Sequence, residues 1–346
     1  MSIIKSGSFA LCLLFFFAPT ILYGAEITAT KPAVSSPTQP SQQAITKPAS
    51  RSVTIGPVQK TPLPLTIICG TMSKFAPTRG KLAFDNEGNL FVAPDSYDDK
   101  LDKIDMNGTV TKLLDKEAVA DFAIDLQGNI FIAGGPQVSM LSPQGVMTTV
   151  PNSIGGGAIA VKTAMPSEII YVASGNSIYK MSLVSPPSIF VDIPDASRMG
   201  SMVFDGQGNL YVTDQYYIRK IDPLGNVTKI AGNGQWAFSE DGGEAKLASV
   251  WWPWDITVDS AGNLYFADFG NNRIRKIDTQ GIIQTVAGGG TQDPSSGQNI
   301  LAKDAALFHP SGVAIDKDGN LFFSNGDGAP PYRVYKVSCI AAPSNS

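Results

Sequence analysis

Histidine occurs once in the chain, at His309, and cysteine three times, at Cys12, Cys69 and Cys339. A lone imidazole cannot supply a multi-histidine metal centre, and His309 stands just before a strand, where a structural role is expected. No Cys-x-x-Cys pair, Gly-rich phosphate loop or Ser-centred nucleophile elbow is present, which removes the common local signatures of metal, nucleotide and acyl-transfer chemistry. Charged residues make up only 16% of the chain and the net charge is −4. No nucleic-acid partner is expected from such a surface. The pairs Arg219-Lys220 and Arg275-Lys276 read as a solvated strand face. Long apolar runs are also scarce. Phe9 to Leu22 is too short for a confident membrane span and, behind Lys5, reads as a signal peptide over residues 1–25.

The chain is rich instead in turn residues, with 34 glycines and 24 prolines. Part of that excess lies in residues 26–62, a Pro/Ser/Thr/Gln-rich stretch without apolar periodicity, which reads as a disordered linker. Signal and linker together predict a secreted or periplasmic protein with no stable transmembrane helix after cleavage. The rest of the excess is periodic. Asp-x-x-Gly-Asn recurs at 85–89, 125–129, 205–209, 259–263 and 316–320, each followed by an aliphatic-aromatic run: LFVA, IFIA, LYVT, LYFA and LFFS. A degenerate copy with Lys162 in place of the Asp fills the long gap after the second, making six units. The clearest, residues 252–288, contains runs at 255–258, 264–267, 273–277 and 282–287 separated by tight turns. One such four-stranded sheet cannot bury both faces alone, whereas copies stacked around an axis can. The fold class is therefore all-β: a six-bladed β-propeller of four-stranded antiparallel blades.

The segments GVAID-x-x-GNL, NNRIRKID and TVAG resemble the NHL-repeat pattern, and the resemblance extends over residues 65–339. It implies a β-propeller, with a domain at 63–341 and a tail at 342–346. Propellers host binding, scaffolding and catalysis alike, so the resemblance implies no single function. The last copy supplies only the strands VAID, LFFS and RVYKVS. Leu65 to Gly70 matches Val227 to Gly232 and is expected to close the last blade as an N-terminal strand. In that register Cys69 and Cys339 stand roughly 20 Å apart along the strands, so two free thiols are expected rather than a disulfide.

Two places could carry chemistry. The residue four before each signature Asp should line the axis: Lys81, Asp121, Ala158, Ser201, Asp255 and Gly312. Asp121 and Asp255 are the carboxylates of this set, on opposite sides of the ring, with Lys81 nearby. They make a poor cage for a cation, whose oxygen ligands must converge on one point. The Asp-x-x-Gly-Asn segments lack the closing Glu of a calcium loop and read as turns. No catalytic residue, metal or cofactor is therefore expected, and the alternative is a hydrolase or lyase with an axial polar or metal site.

The second place is aromatic. All four tryptophans lie at 236–254: Trp236 in an insertion over 233–251, then Trp251, Trp252 and Trp254 around Pro253. Trp236 and Trp251 are expected to cover the insertion's short helical turn, EAKLASV. Pro253 is expected to keep the adjacent indoles off one face. Trp252 and Trp254 with Asp255 should then form an exposed platform at the channel mouth. Trp236 and Asp121 complete the candidate ligand-binding set. A second insertion, 289–308, carries a similar turn, AKDAALF. Aromatic anchors with a polar rim suit a protein, peptide or glycan partner, and a non-catalytic recognition or scaffold module is the function expected.

Overall fold

In the computed structural model the described residues are 71–76, 80–93, 100–115, 117–162, 168–296, 300–326 and 333–338. The segments expected to be signal, linker and tail, and all three cysteines, fall outside them. Every described residue belongs to one compact unit, Pro62–Ser346.

The architecture follows from the turn chemistry. In the fifth repeat, Asp259 Oδ1 accepts the backbone N–H groups of Ala261 at 3.0 Å and Asn263 at 2.8 Å, while Oδ2 accepts Asn263 Nδ2 at 2.8 Å. Gly262 holds a φ of +88°, which a side chain would resist. The same three bonds form around Asp125, Asp205 and Asp316. Each Asp is consumed in reversing its own chain, so the motif makes hairpins without a metal.

The hairpins assemble into six antiparallel sheets, five of them four-stranded and following chain order. Blade five runs Pro253–Val258, Leu264–Asp268, Arg273–Ile277 and Ile283–Gly288 from the axis outward. Second strands such as Leu90–Ala93, Ile130–Ala133 and Leu210–Thr213 are buried at every position, because they lie between sheets on both faces. The core is correspondingly split into six clusters, one at each seam between neighbouring blades. Among the described residues there is no α-helix, and no helix is long and apolar enough to cross a membrane.

Blade six joins the two ends of the unit. Pro310–Ile315, Leu321–Asn325 and Arg333–Val337 are completed by an N-terminal strand, Thr71–Ala76, antiparallel to Arg333–Val337. Closure by an N-terminal strand is as expected, but the strand lies further along the chain than Leu65–Gly70, which falls outside the described residues. Met72 and Ala76 fill the two inward positions, 2% and 6% exposed, with Met72 opposite Val337 and Ala76 opposite Val334. The sequence match of 65–70 to blade four is local, whereas the strand that pairs is the one whose Met72 and Ala76 seat against Arg333–Val337.

Both insertions guard strand edges. Gly242 N–H donates to Ile283 O at 2.9 Å and Ile283 N–H to Gly243 O at 3.0 Å, covering the outer edge of blade five. Ile300–Leu301 pairs with the closing strand as a fifth strand of blade six. Their helical turns are short 3-10 segments, Ala245–Leu247 and Ala302–Asp304.

Candidate functional site

The repeat places one residue of each blade at the narrow end of the axis, where the inner strands begin. In blade six that residue is Gly312, because a Cβ there would meet Gly80 O at 1.8 Å. In blade three it is Ala158, and the remaining four, Lys81, Asp121, Ser201 and Asp255, form a buried polar cluster. Asp255 Oδ1 accepts Ser201 Oγ at 2.8 Å and Ile256 N–H at 3.0 Å, while Oδ2 accepts Val313 N–H at 2.9 Å and Leu82 N–H at 3.4 Å. Asp121 accepts Ile159 N–H at 3.0 Å on Oδ2 and pairs with Lys81 Nζ at 3.1 Å through Oδ1. Lys81 also donates to Gly200 O. The carboxylate of blade five thus ties blades four, six and one, and the ammonium of blade one ties blades two and four.

Burial dominates the electrostatics of this cluster. It pushes the Asp255 carboxyl up to about 6, against the pull of Lys81 and of the donated hydrogen bonds, with Asp121 adding to the rise. Burial likewise raises Asp121, although Lys81 and the Ile159 amide oppose it. Lys81, Asp121, Ser201 and Asp255 line an axial cavity of about 290 Å³ together with apolar side chains such as Phe84, Ile124, Val161 and Phe204. Among the described residues no group of three or more His, Cys, Asp or Glu could hold a metal ion.

The Arg-Lys pairs are the clearest correction. Arg219 and Arg275 are 2% and 0% exposed, not solvated. Strand alternation sends Lys220 and Lys276 over Tyr211 and Tyr265, at 6.0 and 5.6 Å, and turns each Arg inward. Arg219 Nε meets Asp214 at 2.8 Å and its Nη1 meets Asp195 at 3.0 Å. Arg275 Nη1 lies 3.5 Å from Asp268 and its Nη2 3.1 Å from Asp241 in the first insertion. Asp268, held at about 6 chiefly by burial, also accepts Trp251 N–H at 2.9 Å. An ionic network therefore anchors the insertion and the tryptophan segment to blade five.

On this anchored face the aromatic residues form two groups. Tyr216, Trp236 and Trp251 stack in sequence, with centroids 5.5 and 6.4 Å apart and interplanar angles of 4° and 12°. Trp252 and Trp254 stand 5.6 Å apart and both contact Phe269, which stacks on His309 at 4.4 Å and 3°. The Arg198 guanidinium lies 5.6 and 5.8 Å from the two indoles. Arg198, Trp252 and His309 occupy one repeat position in blades four, five and six, and all three are left-handed, with φ of 49°, 58° and 46°. Bulky residues pay for that conformation with about 1–3 kcal/mol of strain.

The distribution differs from the expected platform. Trp236 and Trp251 are the open indoles, 51% and 38% exposed, whereas Trp252 and Trp254 are half-buried. The left-handed turn at Trp252 brings the indoles on either side of Pro253 together rather than apart. Asp255 is 4% exposed and points into the axial cluster with Asp121, so neither carboxylate shares the aromatic surface. Arg198, Tyr216 and Phe269 were not singled out in the sequence. Aligning the pre-strand segments SRMGS, WPWD and FHPSG would have exposed Arg198.

The Teneurin NHL domain family matches residues 234–296, which include this insertion and blade five. Teneurin-4 of Mus musculus is 30% identical over 131 residues, covering 34% of this chain and 4% of that relative's length. Among solved structures, an auxiliary nutrient binding protein from Bacteroides ovatus superposes with a TM-score of 0.64 at 16% identity, covering 78% of this chain and 76% of that one. A gluconolactonase from Xanthomonas campestris gives a TM-score of 0.53 at 15% identity, covering 77% and 89%. At such identities the likeness is one of fold.

Proposed function

We propose that this chain, an NHL-repeat β-propeller, is a non-catalytic recognition module that works outside the cytoplasm and binds a protein, peptide or glycan. The observation that carries the reading is the aromatic surface over blades four to six. Trp236 and Trp251 present indole area to solvent from a loop held by Asp268 and Arg275, and Arg198 adds an exposed cation beside Trp252 and Trp254. Rigid aromatics beside polar groups offer contact area at low ordering cost, which suits a partner surface. The axial carboxylates support the same reading from the other side. Their oxygens are engaged by backbone amides, Ser201 and Lys81 of other blades, so they serve ring closure rather than hydrolase or lyase chemistry. Location outside the cytoplasm rests on Lys5 and the apolar run Phe9 to Leu22.

Peptide and glycan arrays probed with the full chain test the proposal. One class of ligand should be retained by the parent protein. Trp236→Ala and Trp251→Ala should each weaken that binding by ~1–3 kcal/mol with little change in melting temperature. Retention of nothing on either array, or unchanged binding by both variants, overturns the assignment.

A further inference from the structure

Five of the six seams between blades are closed, toward the Asp-x-x-Gly-Asn turns, by three equivalent side chains. One comes from the second strand, one from a bulge in the outer strand, and one from the end of the next blade's inner strand. In the six–one seam these are Phe322, Phe75 and Phe84, with both edge contacts to Phe322 at 5.0 Å. In the three–four seam they are Tyr171, Phe190 and Phe204, in edge contacts of 5.2 and 5.0 Å. In the one–two seam they are Phe91, Leu113 and Ile124, a single ring, as in the four–five seam with Tyr211, Ile230 and Val258 and the five–six seam with Tyr265, Val286 and Ile315.

A cavity of about 210 Å³ opens there, between Phe91 and Leu113 of blade one and Leu126, Ile130, Leu141 and Pro143 of blade two. The facing walls of the two seams share a Gly-Pro contact, although Lys162 Nζ also comes within 2.7 Å of where a Cβ on Gly208 would stand. A Cβ on Gly128 would lie 3.4 Å from Pro143, as one on Gly208 would lie 3.9 Å from Pro223. What differs is the bulged residue, Leu113 in one seam and Phe190 in the other, and the end of the inner strand, Ile124 in one and Phe204 in the other. The cavity is lined by Leu113 and not by Ile124, so it lies where the Phe190 ring stands in the three–four seam. Apolar cavities of about 150 Å³ already accept benzene, so this one has room for a ring and a short substituent.

The rim sets the sign of that substituent. Asp85, Glu87 and Lys103 line the opening, an excess of one negative charge. Asp85 is engaged by its own turn and by Lys103 Nζ at 4.0 Å, which leaves exposed Glu87 as the carboxylate nearest to solvent. We propose that the one–two seam is a binding site for a single aromatic ring carrying an amine, the ring taking the place that Phe190 fills in the three–four seam and the ammonium facing Glu87. It lies at the turn end of the blades and is independent of the tryptophan surface.

Titration of the full chain with benzylamine and with benzoate, followed by calorimetry and methyl NMR, tests this. Benzylamine should bind with a dissociation constant on the order of 1 mM, and its ring protons should contact the methyl groups of Leu113, Ile130 and Leu141. Benzoate should bind about tenfold more weakly, and Glu87→Gln should narrow that gap. Leu113→Phe should abolish binding and raise the melting temperature by filling the gap. No binding to the parent protein, contacts to other methyl groups, or unchanged affinity in a folded Leu113→Phe protein each overturn the proposal. The methyl contacts in the parent protein decide the matter even where Leu113→Phe fails to fold.

Discussion

Lys81→Met is the sharpest probe of how the ring is held shut. The substitution keeps the apolar stem and removes the ammonium that stands 3.1 Å from Asp121 Oδ1 and donates to Gly200 O. The two side chains are 7% and 5% exposed, so Asp121 is left as a buried carboxylate without its counter-charge. Removing one member of a buried pair costs about 3–5 kcal/mol. At roughly 2–4 °C per kcal/mol, the melting temperature of the full chain should fall by ~6–20 °C. Adding Asp121→Asn should recover part of the loss, because the amide oxygen can still accept Ile159 N–H while the stranded charge is gone. The pH dependence has a definite sign. Burial already holds the Asp121 carboxyl above its ordinary 3.8, so its folded-state preference for the proton favours stability at low pH and is lost as pH rises through the folded value. Without Lys81 that preference grows, and the deficit should be larger at about pH 8 than at about pH 5. Thermal and urea unfolding of the parent, single and double variants measures all three effects. A Lys81→Met protein that melts with the parent, or a double variant less stable than the single, refutes the argument.

Three further outcomes follow from the same geometry. Asp255, raised from 3.8 to about 6, should make the parent protein lose up to about 3 kcal/mol of stability between about pH 4 and pH 6; urea unfolding of Asp255→Asn should show that slope reduced. Arg219→Met should destabilise more than Arg275→Met, by about 1–2 kcal/mol, because Arg219 makes hydrogen bonds through Nε and Nη1 whereas Arg275 Nε and Nη1 make none; equal losses in urea unfolding would contradict the bonding difference. Deleting Thr71–Ala76 strips blade six of its closing strand and buried Met72, so limited proteolysis should cut blade six faster than in the parent protein.

The repeat was legible in the sequence because its information is local. The Asp259 carboxylate accepts from Ala261, Asn263 and Tyr265, all within six residues of it, so the hairpin, the strand order and the six-fold repetition follow without reference to anything distant. The axial positions were legible for the same reason, as one fixed offset from each turn. What joins those positions was not. Lys81 reaches a residue 40 positions away in Asp121 and the carbonyl of Gly200, 119 away, and Asp255 accepts an amide from Val313 in the next blade. These partners meet only when the ring closes. The closing strand shows the boundary between the two kinds of information: that the N-terminus completes blade six is implied by the missing strand, but its register is the pairing with Arg333–Val337, at the far end of the chain. The buried Arg219 and Arg275 and the left-handed Trp252 lie wholly beyond local reading. Alternation along a strand states that Arg275 and Lys276 face opposite ways, and it takes the Asp241-bearing insertion packed across blade five to make one of those faces interior.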